Sequence, residues 1–133
     1  MPDTLAGAVK GLDAKTGRAT VNSRTMYVGV ATAAPTVSST LATVSEYSGA
    51  GYARQAYNPT APAGNPEVTS NTSQMTWGPF GTDPAAEQWL FLTDASSGTV
   101  GEITFFWAQA SSRDPALGDS LQAAAGAITI SES

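Results

Sequence analysis

Residues 87–110, EQWLFLTDASSGTVGEITFFWAQA, hold five of the chain's eleven aromatic residues: Trp89, Phe91, Phe105, Phe106 and Trp107. The segment TDASSGT between the two apolar runs is turn chemistry. Asp94 can hydrogen-bond backbone two residues on, and Gly98 can take a positive φ. The pattern therefore predicts a hairpin that pairs 87–93 with 99–109. On the first strand Trp89, Phe91 and Thr93 share one face, and Gln88, Leu90 and Leu92 the other. On the second, Ile103, Phe105 and Trp107 share one face, with Thr104, Phe106 and Ala108 opposite. An antiparallel strand with one wet face alternates apolar and polar residues, and neither strand here does. Both faces must be covered. Each fully buried side chain of this kind contributes about 1.5–3 kcal/mol. The cover is either the chain's own second layer and N-terminal segment, or a neighbouring subunit.

Outward from the hairpin the chain is short of charge. Charged residues are 13% of its 133 residues, about half the usual share. The formal net charge is −5, and phosphate binding needs clustered Lys and Arg, so free nucleic acid is not expected as a partner. No apolar run is long enough to span a bilayer, and no basic start followed by an apolar run suggests a secretory signal. There is no cysteine and no histidine. Thiolate chemistry is thus absent, as are the commonest general base and the commonest metal ligand. No metal or other cofactor is expected. The lack of cysteine fits assembly in a reducing cytoplasm.

Residues 4–15 place Leu5, Ala8, Val9 and Leu12 at helical spacing. Thr4 or Asp3 can cap this helix and Gly17 can end it. Gly7 and Gly11 each cost about 1 kcal/mol against alanine, so the helix needs something to pack on. Strands are predicted at 25–32, about 51–57, one or two within 67–77, at the hairpin, and in the closing segment 121–131, where Ile128 and Ile130 point inward and Thr129 and Ser131 outward. The prolines of 58–66 forbid regular structure there. Seven or eight strands between turns predict a mostly β chain. The expected form is an antiparallel β-sandwich, jelly-roll-like, with a short N-terminal helix or arm at 1–24 and the sandwich domain at 25–133. The arm carries four of the six basic residues, Lys10, Lys15, Arg18 and Arg24; the body keeps only Arg54 and Arg113.

No catalytic constellation stands out. A serine has no histidine to activate it, and Lys10 and Lys15 sit on an exposed-looking helix. Asp83, Asp94, Asp114 and Asp119 are scattered singly in turns, where capping is their ordinary role. Asn71 opens an Asn-Thr-Ser triplet, a frequent chance glycosylation match. Arg54 has two readings: an internal ion pair with a nearby acid or stacking on Tyr52 or Tyr57, and a subunit contact, where arginine is enriched.

The series MYVGVATAAP, SGAGYARQAY, TSNTSQMTW, WLFLTDASSGTVGEITFF and ALGDSLQAAAGAITI resembles a family of small tailed-phage virion proteins, whose members carry names such as tail fibre protein or head decoration protein. The resemblance covers about residues 26–131. Tyr52, Arg54, Gln55, Asn71, Asp94, Gly98, Gly118 and Asp119 match its pattern. Ser97 stands where the family has a first turn glycine, and the 58–66 loop is longer than usual. The resemblance implies a β-sandwich that binds other virion proteins without catalysis. The expected function is a capsid decoration protein, bound to the major capsid protein on the outer shell and self-associating as a trimer, with no nucleic acid, membrane or small-molecule substrate as partner. Subunit or shell contact is expected from Trp89, Phe91, Phe105, Phe106, Trp107 and Arg54, and shell clamping from Lys10, Lys15, Arg18 and Arg24. The alternative is a tail-tip or tail-fibre module that binds a host surface glycan, with Trp77 or Tyr47 stacking on sugars. A cell-wall hydrolase, a third reading, would need carboxylates converging in a groove.

Overall fold

The predicted hairpin forms one half of a four-stranded antiparallel sheet. The structure is a computed structural model that describes residues 4–18, 24–61, 63, 68–81, 89–108 and 120–131. In chain order its elements are α1 (Leu5–Thr16), β1 (Met26–Ala31), β2 (Gln55–Tyr57), β3 (Val68–Ser70), β4 (Met75–Trp77), β5 (Trp89–Thr93), β6 (Ile103–Ala108), β7 (Leu121–Ala123) and β8 (Thr129–Ser131). The main sheet runs β2-β1-β5-β6, and two antiparallel ribbons, β3-β8 and β4-β7, supply further strands. The chain is mostly β, with one short N-terminal helix, as its turn-punctuated pattern predicts. The expected second layer is divided into two ribbons. Asp3, Asp83, Gln88, Asp114, Gly118 and Asp119, which the sequence reading singled out, lie outside the described residues, as do residues 62 and 64–66 of the 58–66 loop.

The two greasy faces of the hairpin are covered by different means. On one, Leu90 and Leu92 join Val28 and Val30 of β1 against Met75 and Trp77 of β4, Leu121 and Ile128. Three aromatic polar tips tie the layers together. Trp77 Nε1 donates to the Val28 carbonyl (3.0 Å), Tyr57 Oη to Ile128 (3.0 Å) and Trp107 Nε1 to Thr129 (3.0 Å). On the other face Phe91, Phe106 and Ile103 pack with Ala31 and Leu41, and Val44 lies alongside. Phe91 lies over Gly29, its partner on β1, and a Cβ there would run into the ring. As expected, Ile128 is buried, Ile130 packs against the core and Thr129 is exposed.

One face assignment is corrected. Leu92 pairs with Phe105, but Thr93 pairs with Ile103, so Thr104 is the extra residue of a β-bulge. The bulge turns Ile103 to the Phe91 face and leaves Phe105 and Trp107 on the other. Residues 99–102, expected in the strand, belong to the turn, where Gly101 has φ 143°. The strand expected at 51–57 shortens to its last three residues, because Gly51 (φ 83°) and the Tyr52 N–H to Gly49 carbonyl bond (3.3 Å) make a turn.

Helix α1 is anchored at that bulge. Thr4 caps it, its hydroxyl accepting from the Gly7 N–H (3.1 Å) and donating to the Ile103 carbonyl. The Thr4 N–H reaches the Thr104 carbonyl (3.0 Å) and the Leu5 N–H reaches Val37 (2.9 Å). Gly7 sits so close to Thr104 that a Cβ would meet its carbonyl oxygen. Gly17 (φ 71°) ends the helix, as its place in the sequence predicts. The apolar stripe, however, stays open among the described residues: Leu5 and Leu12 are 62% exposed and Val9 is 51% exposed.

Candidate binding cleft

Segment 45–47 runs beside the end of β1. The Thr32 N–H bonds Ser45 (2.8 Å) and the Tyr47 N–H bonds Val30 (2.9 Å). This places Glu46 next to Tyr52 and Arg54, just ahead of β2. Arg54 grips the carboxylate side-on, Nε to Oε2 at 2.8 Å and Nη2 to Oε1 at 2.7 Å. Its remaining reach goes to the hairpin turn, Nη1 to the Ala95 carbonyl (3.0 Å) and Nη2 to the Gly98 carbonyl (2.8 Å). The guanidinium also lies 5.7 Å from the centre of the Phe91 ring, within cation–π range. Tyr52 Oη donates to Glu46 Oε2 (2.6 Å) and accepts from the Val30 N–H (2.9 Å).

The electrostatics follow from this arrangement. Hydrogen bonding to Glu46 raises the Arg54 pKa above its ordinary value, outweighing the desolvation that lowers it. Burial first, then the bond to Glu46, pushes the Tyr52 phenol well above its ordinary value. The cluster is thus a fixed zwitterion with a neutral phenol. Above it lies an open cleft of about 290 Å³, bounded by Glu46, Tyr52 and Arg54 on one side and Ser96 to Gly98 on the other, with Ser48 at the rim.

Of the two readings of Arg54, the structure shows the internal ion pair. Glu46 was not singled out by sequence reasoning. A usable signal existed: it is the sole acid between Asp13 and Glu67, and so the nearest partner in the chain for Arg54. The other expected contact residues separate by burial. Phe91 (0% exposed) and Phe106 are covered by the chain itself, so a neighbour meets neither ring directly; Trp89, Phe105 and Trp107 are half-buried. The basic arm folds back on its own body. Lys10 pairs with Glu102 (3.1 Å), and Arg24 with Asp94 (2.7 Å) and Glu102 (3.8 Å). Arg18 pairs with Asp13 (2.6 Å), which raises its pKa, and Lys15 lies exposed in the last helical turn. Asp94 does not bond two residues on; its Oδ1 accepts from the Glu102 N–H (2.8 Å), and Thr93 Oγ1 takes the Ala95 N–H (3.3 Å). Gly98 has the expected positive φ of 76°.

The aromatic residues expected to stack on sugars do not face solvent. Trp77 is 1% exposed, and Tyr47 packs edge-on against Tyr52 and Phe80. Both were expected in loops; Trp77 ends β4, and Tyr47 is drawn into the core by its backbone bond to Val30. Asn71 is likewise buried. Its amide donates to Ser73 (2.9 Å) and Ala124 (3.0 Å), and its oxygen accepts from the Ile128 N–H (2.9 Å).

A family model described as podophage GP4 fiber I protein gp80 matches residues 6–131. The chain belongs to this family. It is a structural virion protein of a tailed phage, of the fibre kind. The gp80 match begins inside α1, at residue 6. Among curated proteins none matches the chain.

Proposed function

We propose that the chain is a non-enzymatic component of a tail fibre or tail tip, which assembles with itself and with other virion proteins and binds a host surface glycan. The observation that carries this reading is the match of residues 6–131 to a podophage fibre family. It favours the fibre over capsid decoration on the outer shell, the function first expected from the resemblance. The arm gives further support. Lys10 and Arg24, two of the cations expected to clamp a capsid shell, are already paired with Glu102 and Asp94 of the same chain. Self-association is assigned to the exposed stripe Leu5, Val9 and Leu12. Its steps of four and three residues are those of a seam between like helices, so a second copy of the chain is the occupant proposed.

Two measurements test this. Gold-labelled antibody on intact particles should mark the tail at a few sites per virion; dense labelling of the capsid shell refutes the fibre reading. The purified protein should bind host cells and release no sugar or peptide from their envelopes; measurable hydrolysis refutes the non-enzymatic assignment.

A further inference from the structure

Glu46, Tyr52 and Arg54 hold the turn in place, and they also form the floor of a cleft whose remaining hydrogen-bonding capacity can be counted. Arg54 spends four of its five N–H donors on Glu46, Ala95 and Gly98. Tyr52 Oη both donates and accepts within the protein. The Glu46 carboxylate accepts three bonds of about four, and its side chain keeps 22% exposure. What the floor offers a visitor is one acceptor site on Oε1 and the fifth Arg54 N–H, on Nη1, backed by no net charge. The exposed residues Ser48, Ser96 and Ser97 add hydroxyls around the mouth, and a hydroxyl can donate or accept.

This inventory selects a ligand class. An anion meets a carboxylate and, on the floor, a single unspent N–H, with only neutral hydroxyls beyond it. A cation meets a guanidinium already bound to Glu46, the only acid among the described residues that line the cleft. A purely apolar ligand would strip water from the serines and Glu46 and return nothing. An uncharged ligand rich in hydroxyls fits each group, donating to Glu46 and exchanging bonds with the serines. The volume of about 290 Å³ lies at the lower end for ligand pockets, which limits the occupant to a small one. We propose that this cleft binds one or two neutral sugar residues of a host-surface polysaccharide, with Glu46 as the acceptor of their hydroxyls. The proposal rests on the reading of the chain as a glycan-binding fibre component and names its site.

The test uses the full chain and polysaccharide released from host cells, with neutral methyl glycosides and their sulfated counterparts as small probes. Amide chemical shifts and calorimetry report binding. Ser97→Trp is the deciding variant, because residue 97 is exposed at the rim and a large side chain there closes the mouth without touching the core. Binding of the neutral probes should perturb the amides of Ser96 to Gly98 and weaken by roughly tenfold or more in Ser97→Trp. Glu46→Gln, checked for native fold by its spectrum, should weaken binding as well. If wild type and Ser97→Trp bind host polysaccharide equally, the cleft is not the site, while the glycan-binding reading stands. If sulfated probes bind better than neutral ones, the ligand class is overturned. If wild type binds no host polysaccharide at all, the reading itself fails and the site with it.

Discussion

Arg54→Met removes the charge at the centre of the cleft and keeps most of the side-chain volume. The arginine side chain is 3% exposed and makes four hydrogen bonds, two to Glu46 and two to carbonyls of the 94–101 turn. Taking one partner out of a buried pair costs about 3–5 kcal/mol, chiefly because the other charge is left unpaired. Glu46 retains some contact with water and its bond to Tyr52, which places the cost at the low end, about 3 kcal/mol. For a chain of this length each kcal/mol shifts the melting temperature by roughly 4 °C, so a loss of about 12 °C is expected. Urea unfolding followed by tryptophan fluorescence gives the free energy. The double variant with Glu46→Gln then separates the pair from the turn contacts. Each single change should destabilise, and the double should cost about 2 kcal/mol less than their sum, since the two residues share one network. A cost below about 1 kcal/mol for Arg54→Met, or additive single effects, would show that the turn does not depend on this grip.

The two helix glycines should respond oppositely to alanine. Gly11 has open space around it, so Gly11→Ala should stabilise by up to about 1 kcal/mol, whereas Gly7→Ala should destabilise by driving the helix off the Thr104 carbonyl; thermal melts distinguish them. Asn71→Ala should cost about 2 kcal/mol in urea unfolding, chiefly because the buried Ile128 N–H loses its partner; the Ser73 and Ala124 carbonyls belong to exposed residues and can turn to water. Stability should fall on the alkaline side. Burial pushes the Tyr57 phenol up to about 12, so its contribution is intact below about pH 10. Above that the unfolded chain sheds a proton the folded one keeps, and about 1.4 kcal/mol is lost per pH unit. Tyr52 shifts in the same direction, and Tyr57→Phe should flatten the decline measured by urea midpoints up to about pH 11. Leu12→Ser, on the exposed helix stripe, should leave the melting temperature nearly unchanged and weaken self-association in analytical ultracentrifugation.

How much of this was legible depends on the range of the interactions. The hairpin, the caps of α1 at Thr4 and Gly17 and the closing alternation at Ile128–Ile130 are local, and the residues carrying them lie within a few positions of one another. The bulge at Thr104 was not legible. It follows from the distant Thr4, whose amide and hydroxyl take the Thr104 and Ile103 carbonyls, and no period in ITFFWA announces an extra residue. Gly7 and Gly11 look equivalent in sequence; only the approach of one to β6 separates them. The cleft was half legible. Arg54 in a strand-like segment called for an acid, and Glu46 was the nearest candidate, but the turn carbonyls it also binds are about forty residues away.

The hairpin's two apolar faces and the helix's apolar stripe pose one problem with two solutions. Within the chain, the ribbons and the 32–45 segment cover the hairpin, so its hydrophobicity goes into the fold. The helix has the reverse arrangement. It is short, carries two glycines, and buries none of its own residues, and a helix of this length is marginal in water unless an apolar face is packed. Its cap holds one end and the Lys10–Glu102 pair one side. Three large side chains left facing outward on such a helix are a cost unless another surface meets them. On the self-association proposed above, a second copy of the chain would supply that surface, and binding it would stabilise the helix by mass action.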